Sequence, residues 1–245
     1  MKREGVLFQS HIHDKIVQLI AEYGYITVQE VSILTGDPYR AYQTLYYLQR
    51  KGVIHAFPTR LRPVYAYNLT PRYKVVLSSS GLVDYIRPFK PSLYKETQLY
   101  HSLGLIKLRL IFEQILGPRL KRYVSDNQLQ RDKANKKICD AEITYTKDKT
   151  DKTIAVELEL SAKRQPRIGK DARKLTEHAE GRYSAVLMIY SMPSVKETWQ
   201  RVLKENNEAG VNYFFIHFSD FLKNKANCKA QDPNDKAIPL FKDTV

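Results

Sequence analysis

Cysteine is nearly absent: Cys139 and Cys228 stand far apart, with no CxxC pair and no Cys/His cluster beside either. That excludes a disulfide framework and a cysteine-rich zinc site, and it suits a reducing compartment. Long apolar runs are missing too, so nothing reads as a membrane span. The first fifteen residues, MKREGVLFQSHIHDK, lack the apolar stretch and small-residue cleavage site of a signal peptide. Acidic residues are outnumbered, 26 Asp and Glu against 40 Lys and Arg, for a net charge of +14. Such an excess favours a polyanionic partner, nucleic acid before others. The expectation is a cytoplasmic, nucleoid-associated protein with no membrane partner. Its 245 residues, 43% hydrophobic, have room for one large core or two small ones.

What is present begins with helical punctuation. Over residues 11–23, Ile12, Ile16, Leu19 and Ile20 recur on one helical face, and Gly24 stops the helix. In ITVQEVSILTG, Thr27 followed by Glu30 has the spacing of a capping box, with Val28, Val31 and Leu34 turned inward. Asp37 is a natural N-cap for a third helix, Pro38 suits its first position, and Gly52 ends it. Ala41, Leu45 and Leu48 must face the core, which leaves Tyr39, Arg40, Tyr42, Gln43 and Tyr46 outside. Next, VIHAF and VYAYNL read as two strands around a tip carrying Arg60 and Arg62.

Three short helices, a tight turn at Thr35–Gly36 and a basic hairpin resemble bacterial winged helix-turn-helix domains over residues 8–72. The resemblance makes the third helix the recognition helix. Arginine can take both acceptors of a guanine edge and glutamine can pair with adenine, while tyrosine hydroxyls reach phosphates and wing arginines suit the minor groove. Packing of Tyr42, Tyr46 and Tyr47 in a protein-docking module is the competing reading.

Residues 78–92, rich in Ser, Gly and Pro, read as a linker or a short helix between loops. A helix over 93–116 is apolar on most faces and is expected to pack beneath other elements. His101 within it is expected to be structural, and Glu96 and Glu113 are minor candidates for the site further on. From residue 121 strands and helices alternate as βββ-α-β-α-β, an α/β sheet core. The domains expected are 1–75 for DNA binding, 76–95 as linker, 96–222 as the α/β domain and 223–245 as a basic tail, either disordered or docked on a partner.

Within that core IAVELEL, residues 154–160, alternates strictly, the pattern of a half-buried strand with Glu157 and Glu159 on its polar face. On the preceding strand Asp140 and Glu142 share a face as well. Like charges side by side cost roughly 0.2–1 kcal/mol per pair. Solvent, neighbouring lysines or a hard cation would have to offset that, and Mg2+ takes one or two carboxylates together with phosphate oxygens.

Asp140, Glu157 and Glu159 resemble the PD-(D/E)xK nuclease motif, with Cys139 in place of its proline and Glu159 in place of its lysine. The resemblance assigns Asp140 and Glu157 to the metal, Glu159 to the metal or the attacking water, and Lys163 or Lys170 to the scissile phosphate; Arg173, outward on the same helix as Lys170, is a further DNA-binding candidate. The whole order, a winged helix and then CDAEITY, IAVELELSAKR and KDARKL, is similar to the replication-relaxation family of plasmid, phage and integrative-element proteins over residues 10–220. It implies an α+β or α/β architecture: a winged helix-turn-helix, then a restriction-endonuclease-like mixed sheet flanked by helices. The function implied is a DNA-binding accessory or regulatory protein acting in replication, mobilisation or transcription, as a possible homodimer beside a relaxase, replicase or RNA polymerase. The alternative is a Mg2+-dependent endonuclease targeted by the winged helix.

Overall fold

The computed structural model describes residues 10–60, 65–80, 86–87, 95–132, 139–161, 165–206, 210–239 and 241. The chain divides into two compact units, residues 1–110 and 111–245. No helix among the described residues is long and apolar enough to cross a membrane.

The first unit opens with α1 (His11–Tyr23), α2 (Val28–Thr35) and α3 (Pro38–Arg50). Ile16, Leu19 and Ile20 of α1 are buried as their spacing demands, and Gly24 closes the helix in the left-handed conformation. The capping box of α2 is complete: the Thr27 hydroxyl accepts from the Gln29 N–H, and the Glu30 carboxylate accepts from the Thr27 N–H at 2.9 Å. Both residues are fully buried. Removing the hydroxyl by Thr27→Ala is expected to cost about 1–2 kcal/mol in chemical denaturation, at the upper end for caps because no water replaces it. Gly36, at φ +72°, makes the tight turn into α3, whose first two free N–H groups are taken by the Asp37 carboxylate at 3.1 Å each.

Strands β1 (Ile54–Pro58) and β2 (Tyr65–Leu69) pair antiparallel, Ile54 opposite Leu69, and Tyr67 also bridges to Ile26. Helix α4 (Pro71–Ser80) follows and runs from the end of the expected DNA-binding domain into the first residues of the expected linker. The long α5 (Glu96–Leu116) holds the boundary between the units, at Leu110, whereas the sequence reading set it at 76–95. Its first half belongs with α1 and α2 for physical reasons. The Tyr25 hydroxyl donates to the Leu99 carbonyl at 2.9 Å, Lys107 pairs with Glu30 at 3.4 Å, and Arg109 pairs with Glu22.

The second unit is a seven-stranded mixed sheet flanked by helices. Its strands lie in chain order: β3 (Leu120–Ser125), β4 (Ala141–Lys147), β5 (Thr150–Glu159), β6 (Ala185–Tyr190), β7 (Tyr213–His217), β8 (Lys229–Gln231) and β9 (Ala237–Pro239). The pairs β3–β4 and β4–β5 are antiparallel, β5–β6 and β6–β7 parallel, and the last two antiparallel. Helices α7 (Gln165–Ala179) and α8 (Pro193–Asn206) make the two parallel crossovers. They cover one sheet face, where Ala155, Val186, Met188, Tyr213 and Phe215 meet Ile168, Leu175, Val195 and Trp199. Toward the other face Phe112 contacts Phe221 and Phe241, and Phe241 contacts Tyr145.

Three local expectations change. The expected order has no helix between its first two strands, yet a short helix, α6 (Asp126–Asp132), stands there. The charged stretch between β4 and β5 is mostly strand, with only Asp148 and Lys149 in the turn, both at positive φ as a two-residue hairpin loop requires. The basic tail enters the fold: α9 (Phe218–Asn224) leads into β8 and β9, and Lys196 of α8 holds Asp235 at 2.5 Å.

Candidate functional site

Helix α3 has two chemically opposite faces. Ala41, Leu45 and Leu48 are completely buried. Tyr39, Arg40, Tyr42, Gln43 and Tyr46 are all exposed, as are Arg50 and Lys51 just beyond them. The tyrosine rings are the unusual part, since 68% of Tyr39, 56% of Tyr42 and 62% of Tyr46 remain open to water. Arg50 lies over the Tyr46 ring at 5.9 Å, and Lys51 lies over Tyr47 at 5.7 Å. Tyr47 also stacks with His13, ring centres 5.0 Å apart. On the hairpin, Arg60 and Tyr65 are exposed, while Arg62 lies outside the described residues. Tyr42 and Tyr46 are therefore no part of this unit's own core. Arg50, Lys51 and Tyr65 had no signal in the helical pattern alone, although the i, i+4 spacing of Tyr46 with Arg50 and of Tyr47 with Lys51 was there to find.

Glu142 stands opposite Ala155, so Glu142, Glu157 and Glu159 share one sheet face. The strand is not half-buried: from Ile154 to Glu159 both faces of β5 are covered or nearly so, because α7 and α8 close over the face that carries the glutamates. Asp140, Glu142, Glu157 and Glu159 are all buried, at 1%, 7%, 7% and 2% exposure. Solvent is thus removed as the agent that offsets their repulsion.

Asp140 lies one residue ahead of β4 and continues its ladder. Its N–H donates to the Val156 carbonyl at 3.0 Å, and its carboxylate accepts from the Leu158 N–H at 2.8 Å. A side chain thereby supplies the acceptor that β4, having ended, no longer offers. Glu142 accepts from the Arg182 guanidinium at 2.7 Å and from the Tyr183 hydroxyl. Arg182 also lies 5.2 Å from the centre of the Tyr183 ring. Neither partner was foreseen, since both come from the turn after α7, some forty residues away with no periodic relation to β4.

Cys139 is walled in beside these acids. Burial pushes its thiol up first, and the nearby Glu157, Glu142 and Asp140 charges push it further, so it is an inert core thiol donating to the Ala141 carbonyl. Burial likewise pushes up the Tyr183 phenol, with Cys139 and Glu142 adding to it. Among the described residues, no group of three or more His, Cys, Asp or Glu side chains is arranged to hold a metal ion. Asp140 and Glu157 both act on the Cys139 thiol, and Glu159 lies two residues further along β5 on the same face as Glu157. Lys163 lies outside the described residues, and Lys170 and Arg173 are exposed on the outer face of α7, opposite Ile168, Ala172 and Leu175.

The same covered face predicts alkaline behaviour. Tyr213 hydrogen-bonds Thr176 at 2.8 Å, and burial pushes its phenol up to about 12. A phenol raised from its ordinary value near 10 keeps its proton in the folded state after the unfolded chain has begun to lose it. Its contribution is full below pH 10 and is lost as pH rises toward 12, about 3 kcal/mol at 1.36 kcal/mol per pH unit. Tyr213→Phe is expected to flatten part of the pH 10–12 loss of stability followed by circular dichroism, and only part, because Tyr183, Tyr145 and Tyr190 are shifted the same way.

No protein-family model matches the chain, and a search of curated proteins finds no significant match.

Proposed function

We propose that the protein is a DNA-binding accessory or regulatory factor of a mobile genetic element. In this reading the first unit is a winged helix-turn-helix, α3 is its recognition helix, and the β1–β2 hairpin with Arg60 is its wing. The observation that carries it is the outward face of α3, where tyrosines, Arg40 and Gln43 stand exposed above a fully buried Ala41–Leu45–Leu48 stripe. In a chain of net charge +14, a helix face of this composition fits DNA before it fits protein. The second unit, a restriction-endonuclease-like sheet in this reading, serves as scaffold and partner-docking body for replication, relaxase or transcription machinery. Its carboxylates support that role: Asp140 completes a strand ladder, and Glu142 ties β4 to the turn after α7.

A Mg2+-dependent endonuclease is the second reading, favoured by the grouping of Asp140, Glu142 and Glu157 around Cys139. One experiment separates the two: titration of supercoiled DNA from the protein's own locus, in Mg2+ and in EDTA, with Glu157→Gln alongside. Gel retardation equal in both buffers, without nicking, is the expected result. Metal-dependent nicking that disappears in Glu157→Gln would replace the scaffold reading with the endonuclease. Absence of any retardation would remove DNA binding itself.

A further inference from the structure

Tyr39, Tyr42 and Tyr46 are three and four residues apart, so they form one stripe along α3, about 4.5 Å and 6 Å apart along its axis at 1.5 Å per residue. Arg50 continues the stripe one turn on and lies over the last ring. The hairpin extends it sideways. Tyr65 is 56% exposed, and Tyr67 lies close enough to both Tyr42 and Tyr65 that their phenols add to the effect of burial in raising its own. Exposed cations accompany the aromatic strip: Arg40 and Arg50 on the same helix, with Arg50 over the Tyr46 ring, Lys51 just beyond its end, and Arg60 after β1 of the hairpin.

A fully paired duplex uses little of such a surface. Bases in a duplex are stacked at 3.4 Å on one another, so their faces are closed. The major groove presents donor and acceptor edges and the thymine methyl, for which a phenol ring is a poor partner beyond its hydroxyl. Unpaired bases present open π-faces, and rows of aromatic rings with interleaved cations are what bind them.

We propose that the α3–hairpin face of the first unit takes DNA with unpaired bases, a locally opened duplex or a single strand, by stacking bases on Tyr39, Tyr42 and Tyr46 while Arg50 and Arg60 hold the phosphates. The proposal rests on the DNA-binding reading above and adds the class of DNA. Stacking on the aromatic strip adds affinity that follows base exposure, and Arg40 remains the residue that reads a base edge.

The test is fluorescence anisotropy on the full chain with one mixed-sequence oligonucleotide, offered as a single strand, as a perfect duplex and as a duplex with a central mismatched bubble. The bubbled and single-stranded probes are expected to bind roughly tenfold or more tighter than the perfect duplex. Tyr42→Ala with Tyr46→Ala is expected to lose roughly 5- to 150-fold per ring on those two probes, the range seen when stacked aromatics are truncated. Tyr42→Phe with Tyr46→Phe keeps the rings and is expected to keep the binding. Because both side chains are exposed, all variants are expected to fold, and circular dichroism verifies that. Phenylalanine variants as weak as the alanine ones would reduce the tyrosines to phosphate-binding hydroxyls and overturn stacking. A perfect duplex bound as tightly as the bubble would overturn the inference and leave the DNA-binding reading standing. Failure of all three probes would overturn both and give the tyrosine strip to a protein partner.

Discussion

Trp199→Ala is expected to destabilise the 111–245 unit by about 3–5 kcal/mol, the range for removing a buried indole from a core that cannot collapse around the gap. Trp199 is only 1% exposed and faces the sheet from α8, with Val195 one turn before it and Val202 and Leu203 one turn after. Its neighbours in that layer include Ala155 of β5, Met188 of β6 and Phe215 of β7, so the void would open over the centre of the sheet. It would also open on the face that carries Glu157 and Glu159, admitting water to carboxylates that α7 and α8 now shield. Part of the cost is therefore returned as solvation, and the lower half of the range is the more natural outcome. Urea unfolding followed by far-UV circular dichroism measures the loss. Since Trp199 is the only tryptophan in the chain, wild-type fluorescence reports the unfolding of this unit alone. A loss below about 1 kcal/mol would mean that α8 does not close the sheet. DNA retardation at low temperature should survive the substitution, because the α3 face belongs to the other unit.

The pattern of agreement between sequence and structure follows the range of the forces involved. Helices α1 to α3 were legible almost to the residue, since Gly24, the Thr27–Glu30 box and the Asp37–Pro38 start act through bonds within one turn. The burial of Ala41, Leu45 and Leu48 followed from a 3.6-residue period that any helix of that sequence must show. The strand over 154–159 was legible as a strand, and its alternation was misleading about its surroundings. Period two reports which side chains share a face, but the charge of Glu157 and Glu159 suggested water where α7 and α8 in fact lie. Short segments failed for a related reason. Residues 126–132 carry too few apolar positions to show a helical period, and β8 and β9 are three residues each, fixed by tertiary contacts such as Lys196 with Asp235. Arg182 and Tyr183 were invisible as partners of Glu142 because the contact exists only once β4 and the end of α7 have been brought together.

Arg40→Ala is expected to weaken binding to the protein's own DNA site by about 5- to 150-fold, the 1–3 kcal/mol that a base-edge contact supplies, and to relax discrimination at one base position. Arg60→Ala is expected to behave differently. A hairpin-tip arginine on phosphate contributes alike to every sequence, so affinity should fall uniformly and the dependence of log K on log salt should become shallower by about one. The pair of slopes therefore assigns the two residues to reading and to holding without a structure of the complex. Asp37→Ala supplies the internal control. Its carboxylate caps the N–H groups of Tyr39 and Arg40, so its loss frays the turn that presents both residues and removes an acidic charge from the DNA face. Those effects oppose each other: removing the charge strengthens non-specific binding, while fraying weakens specific binding. A rise in the first with a fall in the second is the signature expected if α3 must be ordered to read its site. If Arg40→Ala leaves sequence preference intact while Asp37→Ala strengthens every probe alike, α3 contributes charge without recognition, and the base-reading contacts lie elsewhere on the unit. Separate titrations across a salt series distinguish these outcomes, because only a specific contact changes the ratio between the site and a scrambled sequence at every ionic strength.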